Sequence, residues 1–124
     1  MPDRDRLTEL FMRFAACSSE SLREKEFCEM VEEQLVALGL VVERDDAGAR
    51  FGSDGFNIYA RLDGTGEPIL LNAHLDTVAP CLGVKPFNDN GVIRSGGDTV
   101  LGADDKAAVA AIIEAVESAI EGGQ

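Results

Sequence analysis

The sequence predicts an α/β fold, and three observations predict it. Apolar residues recur at helical spacing near the N-terminus, and the pattern then gives way to short β-branched and continuous apolar runs. Near the C-terminus it returns to a long helical stretch. A length of 124 residues supports one core and too little material for two independent ones.

The first helix is expected over residues 4–16, where Leu7, Leu10, Phe11 and Phe14 fall on one stripe. Residues 18–21 break the stripe, and Ser21 followed by Glu24 fits a capping box opening a second helix. That helix buries Phe27, Val31, Leu35 and Leu38 and stops at Gly39, which tolerates the left-handed position past a helix end. Leu40, Val41 and Val42 begin a strand, and residues 57–62 alternate with a period near two. The Asp- and Gly-rich stretch 45–55 between them reads as a loop.

Residues 63–66 suit a hairpin connection into 68–73, whose continuous apolar run suits a central strand covered on both faces. Residues 79–102 are long for a connection, and Asp89-Asn90-Gly91 predicts a small hairpin inside them. The final helix, over about 105–120, is apolar around most of its circumference and is expected to be buried.

Composition narrows the function classes. Asp and Glu outnumber Lys and Arg by 23 to 11, a net charge of −12, which argues against a nucleic-acid surface. No apolar run reaches the roughly 20 residues of a membrane span, and no signal peptide is evident at the start, so a cytoplasmic protein is expected. Cys17, Cys28 and Cys81 make neither a C-x-x-C pair nor an even set and read as reduced thiols.

Two places carry chemistry. His74, the single histidine, follows the most apolar strand, with Asp76 two residues on, so in extended backbone both side chains face one side. Taken alone, such a histidine is more often an ordinary hydrogen-bonded residue than a ligand. The second place is Gly102-Ala103-Asp104-Asp105-Lys106, where Asp104 reads either as a helix cap or as a carboxylate delivered to a site by the Gly-rich approach 95–102. An imidazole and a carboxylate together are the donors a borderline cation such as zinc takes. A phosphate loop at Gly96-Gly97 is disfavoured, because no Lys-Ser or Lys-Thr follows.

The run Asn72-Ala73-His74-Leu75-Asp76-Thr77-Val78, followed by Leu101-Gly102-Ala103-Asp104-Asp105-Lys106-Ala107, resembles the two N-terminal signatures of the peptidase T, carboxypeptidase G and aminoacylase family. Asp98-Thr99-Val100-Leu101 ahead of the second signature resembles the tripeptidase-like branch most, with one departure at Ala108, where that branch usually has Gly. The likeness covers nearly the whole chain. It implies a three-layer α/β/α zinc-exopeptidase-like fold with a mixed sheet, of which residues 1–124 form the N-terminal part of the catalytic domain. It further implies that His74 ligates zinc, that Asp104 bridges two zinc ions and that Asp76 is the catalytic partner holding the His74 ring. A cis Asp104–Asp105 peptide is part of the same expectation.

The implied activity is metallo-exopeptidase hydrolysis of short peptides through a metal-bridging water, with the general-base glutamate and the remaining ligands downstream of Gln124. This chain alone is therefore expected to bind zinc weakly or not at all and to be inactive. A deacylase or carboxypeptidase of the same family, or a binding module that kept the scaffold, are the alternatives. A sheet edge left open is expected to favour homo-oligomer contacts.

Overall fold

The computed structural model describes residues 1–123. Helix α1 (Arg4–Ala16) starts where the Asp3 side chain accepts from the Arg6 amide at 3.0 Å, and helix α2 (Lys25–Ala37) ends ahead of Gly39, at φ +89°. The capping box expected at Ser21 and Glu24 does not form. Asp54 instead accepts from the Glu24 and Lys25 amides at 2.7 and 3.0 Å, which leaves the Ser21 hydroxyl for another partner.

Strand β1 (Val41–Arg44) pairs antiparallel with β2 (Ile58–Arg61), Val41 opposite Arg61 and Arg44 opposite Ile58. A one-turn helix α3 (Ala47–Arg50) lies in the loop between them. The predicted hairpin in 79–102 is present as β3 (Pro86–Asp89) and β4 (Val92–Ser95). Asn90 and Gly91 take φ of +51° and +94°, the two positive values a tight turn between twisted strands requires.

Helix α4 (Ala103–Glu121) holds Asp104 and Asp105 in non-helical conformation, so its regular turns begin after them. It joins α1 and α2 in one core, where Phe14 and Phe27 meet edge to face at 5.1 Å and Val109, Ala110 and Ile113 close the third side. The expectation that α4 is buried all round holds on that side only: Ala107, Ala111 and Ala115 face outward.

Two expectations need correction. Residues 68–73 form no strand, and the hairpin at 63–66 does not form: β2 pairs with β1 along one edge, and a cleft lies between its other edge and 68–73. Ile69 and Leu70 are 85% and 89% exposed, so this apolar run lies along the surface with no partner strand among the described residues. The observed sheets are thus two antiparallel pairs flanked by helices.

Between β2 and the 68–73 run lies a cleft of about 840 Å³, floored by Val31 and Leu35 of α2 and Val109 and Ile112 of α4. His74 and Asp76 line it as well. No helix is long and apolar enough to cross a membrane.

Candidate metal centre

Three side chains from two distant segments converge. His74 Nε2 lies 2.9 Å from Asp104 Oδ1, across thirty residues of sequence, and its Nδ1 lies 2.9 Å from the Asp76 carbonyl oxygen and 3.1 Å from Asp76 Oδ1. Both neighbours of Nδ1 are acceptors, so that nitrogen carries the hydrogen. The other ring nitrogen is then directed at Asp104.

Burial works against charge on the ring, but the carboxylates of Asp104 and Asp76 outweigh it and raise the His74 pKa above its ordinary value. Asp76 is held below the usual carboxylate range, first by the Ser21 hydroxyl and then by His74.

Local structure explains the placement of Asp104. Gly102 adopts φ +83°, and a side-chain carbon there would come within 3.1 Å of Cys81 Sγ and 3.3 Å of the Thr77 methyl. Only glycine satisfies both the left-handed backbone and the close approach. Gly102 is also the residue at the start of α4, with no side-chain cap, so Asp104 is not the cap that its sequence context allowed. Its carboxylate is 92% exposed and meets His74. The Asp104–Asp105 peptide is cis, as the family resemblance implies, and Ala79–Pro80 is a second cis bond.

One residue on, Lys106 is fully buried, donates to the Cys17 carbonyl at the end of α1 and lies 4.5 Å over the Phe27 ring. Burial lowers its pKa. Cys81 is packing, buried beside Gly102 with its amide donating to Glu20 Oε2 at 2.7 Å.

The segment that holds the histidine is clamped by residues whose sequence alone marks them as a helix boundary. Ser19 Oγ donates to the Leu75 carbonyl at 2.8 Å, the Thr77 amide donates to the Ser19 carbonyl at 2.9 Å, and Ser21 Oγ donates to Asp76 Oδ2 at 2.5 Å. Glu20 and Thr77 form a single parallel bridge. The signal available beforehand was a run of hydroxyls, Ser18, Ser19 and Ser21, longer than one cap uses.

Among the described residues no group of three or more His, Cys, Asp and Glu side chains is gathered to hold a metal ion. His74 and Asp104 therefore fit zinc in the kind of donor, nitrogen and carboxylate oxygen, and supply two of the four positions a tetrahedral site uses.

No protein-family model matches the chain. Two solved structures do. A tripeptidase from Staphylococcus aureus subsp. aureus Mu50 aligns with a TM-score of 0.93 at 36% identity, over 99% of this chain and 34% of that one. Aminopeptidase PepT from Bacillus cereus ATCC 10987 aligns with a TM-score of 0.91 at 34% identity, over 98% of this chain and 34% of that one. In sequence, the uncharacterised protein YqjE of Bacillus subtilis (strain 168) is 38% identical over 119 residues, 94% of this chain and 32% of YqjE. Over nearly its whole length the chain is thus similar in backbone and in sequence to a tripeptidase and to aminopeptidase PepT, and it spans about a third of the length of the proteins it matches.

Proposed function

We propose that residues 1–124 are the N-terminal part of the catalytic domain of a zinc-dependent metallo-exopeptidase, tripeptidase- or aminopeptidase-like, that hydrolyses short peptides. The observation that carries this reading is the 2.9 Å approach of His74 Nε2 to Asp104 Oδ1, with Nδ1 tied back to Asp76. His74 and Asp104 would hold the metal, and zinc, when bound, lowers the pKa of a coordinated water toward 7 and polarises a carbonyl. Asp76 would keep the hydrogen on Nδ1, which leaves the Nε2 lone pair, on the side of Asp104, for the metal. Asp104 can offer two oxygens from an exposed position, which suits a carboxylate shared between two ions. The remaining ligands and the general base belong, in this reading, to the rest of a longer protein.

The same reading completes the sheet as three layers. A strand, a helix and a following parallel strand connect with right-handed sense in nearly all known cases. In that reading residues 68–73, which form no strand here, and α4 would be the first two parts of such a unit. The cleft between β2 and 68–73, with its apolar floor, is the place for the third part, a strand following α4. Without that strand the open edge is available to another copy of the chain.

The test is zinc titration and peptide hydrolysis by the longer protein, with His74→Ala and Asp104→Ala. Each substitution is expected to abolish turnover and weaken zinc binding, while the 124-residue chain alone hydrolyses neither dipeptides nor tripeptides. Full turnover in His74→Ala, or hydrolysis by the purified short chain, overturns the proposal.

A further inference from the structure

We propose that Ser21 is a positioning residue for the metal centre: its hydroxyl locks the Asp76 carboxylate in the orientation that sets the His74 ring. The inference rests on the metal-site reading and extends it to a segment more than fifty residues away in sequence.

The geometry is specific. The Asp76 carboxylate divides its two oxygens between two donors, Oδ2 accepting from Ser21 Oγ at 2.5 Å and Oδ1 facing His74 Nδ1 at 3.1 Å. A carboxylate on a short stem rotates freely about its last bond unless both oxygens are engaged. With Ser21 in place, a single rotation presents Oδ1 to the ring. Without it the carboxylate plane is free to turn about that bond, and neither oxygen is held in line with Nδ1.

Ser21 is itself held from behind. Its amide donates to the Thr77 carbonyl at 3.1 Å, and the neighbouring Glu20 bridges Thr77 in parallel. Ser19 holds the Leu75 carbonyl from the same segment. The connection between α1 and α2 thus acts as a short splint along residues 75–77, and Ser21 is the point where that splint reaches a side chain of the centre. The start of α2 is capped by Asp54, so the hydroxyl is not needed there, and its one other contact is a long 3.4 Å approach to the Thr77 carbonyl, which the Ser21 amide already holds.

Outer hydrogen bonds of this kind fix the tautomer of a ligating histidine, and their loss typically lowers metal affinity about 10- to 100-fold. The backbone carbonyl of Asp76 also faces Nδ1, at 2.9 Å, so part of the restraint survives when Ser21 is changed. The expected loss is therefore near the lower figure.

The experiment has two arms. Nitrogen-15 NMR of His74 in the metal-free chain, at alkaline pH where the ring is neutral, reads the tautomer ratio without any metal. Titration with zinc of the longer protein reads affinity. Ser21→Ala is expected to lower the share of Nδ1–H ring at least about twofold and zinc affinity about tenfold. Ser21→Thr, which keeps the hydroxyl, retains both within about twofold. Ser21→Cys, near the volume of serine with a far weaker donor, repeats the Ala result in a second background.

An unchanged tautomer ratio in both Ser21→Ala and Ser21→Cys overturns the inference, as does a loss in Ser21→Thr equal to that in Ser21→Ala. A wild-type protein that binds no zinc while its tautomer ratio still responds to Ser21 sinks the metal reading instead, so the two failures are distinguishable.

Discussion

Arg6 joins the start of the chain to its last helix. Its guanidinium donates to Glu114 from two nitrogens at 2.7 Å each and to Glu121 at 2.7 and 2.9 Å, while the Asp3 amide donates to Glu114 as well. Glu114 is only 2% exposed, and these bonds, Arg6 first, hold its carboxyl below the usual range. A carboxyl lowered on folding contributes stability that is present above its unfolded pKa, about 4.3, and is lost as pH falls through the folded value. Acid unfolding should therefore steepen below about pH 4.3, and Glu114→Gln should flatten that limb while lowering Tm at neutral pH by roughly 3–6 °C. Thermal scans across pH check both, and an unaltered acid limb in the variant refutes the assignment. Nothing in the local sequence around Glu114 announces this burial. In a regular helix it looks like one more solvent-facing acid, and only the position of Arg6, more than a hundred residues earlier, makes its burial affordable. His74, Asp76 and Asp104 were legible because two extended motifs flank them, whereas Ser21 was not, since a hydroxyl ahead of a helix is most often a cap.

At the scale of elements, the start of α4 is fixed by two residues that flank the cis peptide. Gly102 provides the left-handed turn in contact with Cys81 and Thr77, and Lys106 drives its ammonium into the carbonyl end of α1. Helix C-termini attract cations, and Phe27 lends a ring face to the same charge. Gly102→Ala meets both a disfavoured φ and a crowded site, so it is expected to cost about 2–4 kcal/mol and to displace Asp104 from His74. Lys106→Ala removes a buried stem and leaves the Cys17 carbonyl unpaired, for a loss of about 2–4 kcal/mol with the His74 region less perturbed. Urea unfolding measures the two costs, and the His74 NMR signal separates them: a shift as large in Lys106→Ala as in Gly102→Ala contradicts the division of roles. Element identity was largely readable here, because 3.6-residue stripes place α1, α2 and α4, and Asp89-Asn90-Gly91 places the β3–β4 turn. Strand pairing was not readable, since apolar runs state that a segment is to be covered and say nothing of which neighbour covers it.

For the molecule as a whole, that gap between pattern and pairing is concentrated in residues 68–73. Their sequence asks for two covered faces, yet Ile69 and Leu70 stand almost fully exposed beside a cleft floored by Val31, Leu35, Val109 and Ile112. An apolar run next to an apolar cleft is an exposed patch of the sort that marks a contact surface. In the proposal above, the strand that follows α4 in a longer protein covers it. The chain by itself should then bind an apolar dye such as ANS and associate with increasing concentration. Ile69→Lys combined with Leu70→Lys should reduce dye binding about twofold and suppress association, while stability changes by no more than about 0.5 kcal/mol, because neither side chain is packed. Fluorescence titration, light scattering and urea unfolding on the same preparations decide it. Equal dye binding and equal association in the double variant would mean that 68–73 is not the covered surface. A large loss of stability would mean that the run is already packed in solution, and with it the vacant place beside β2 would disappear.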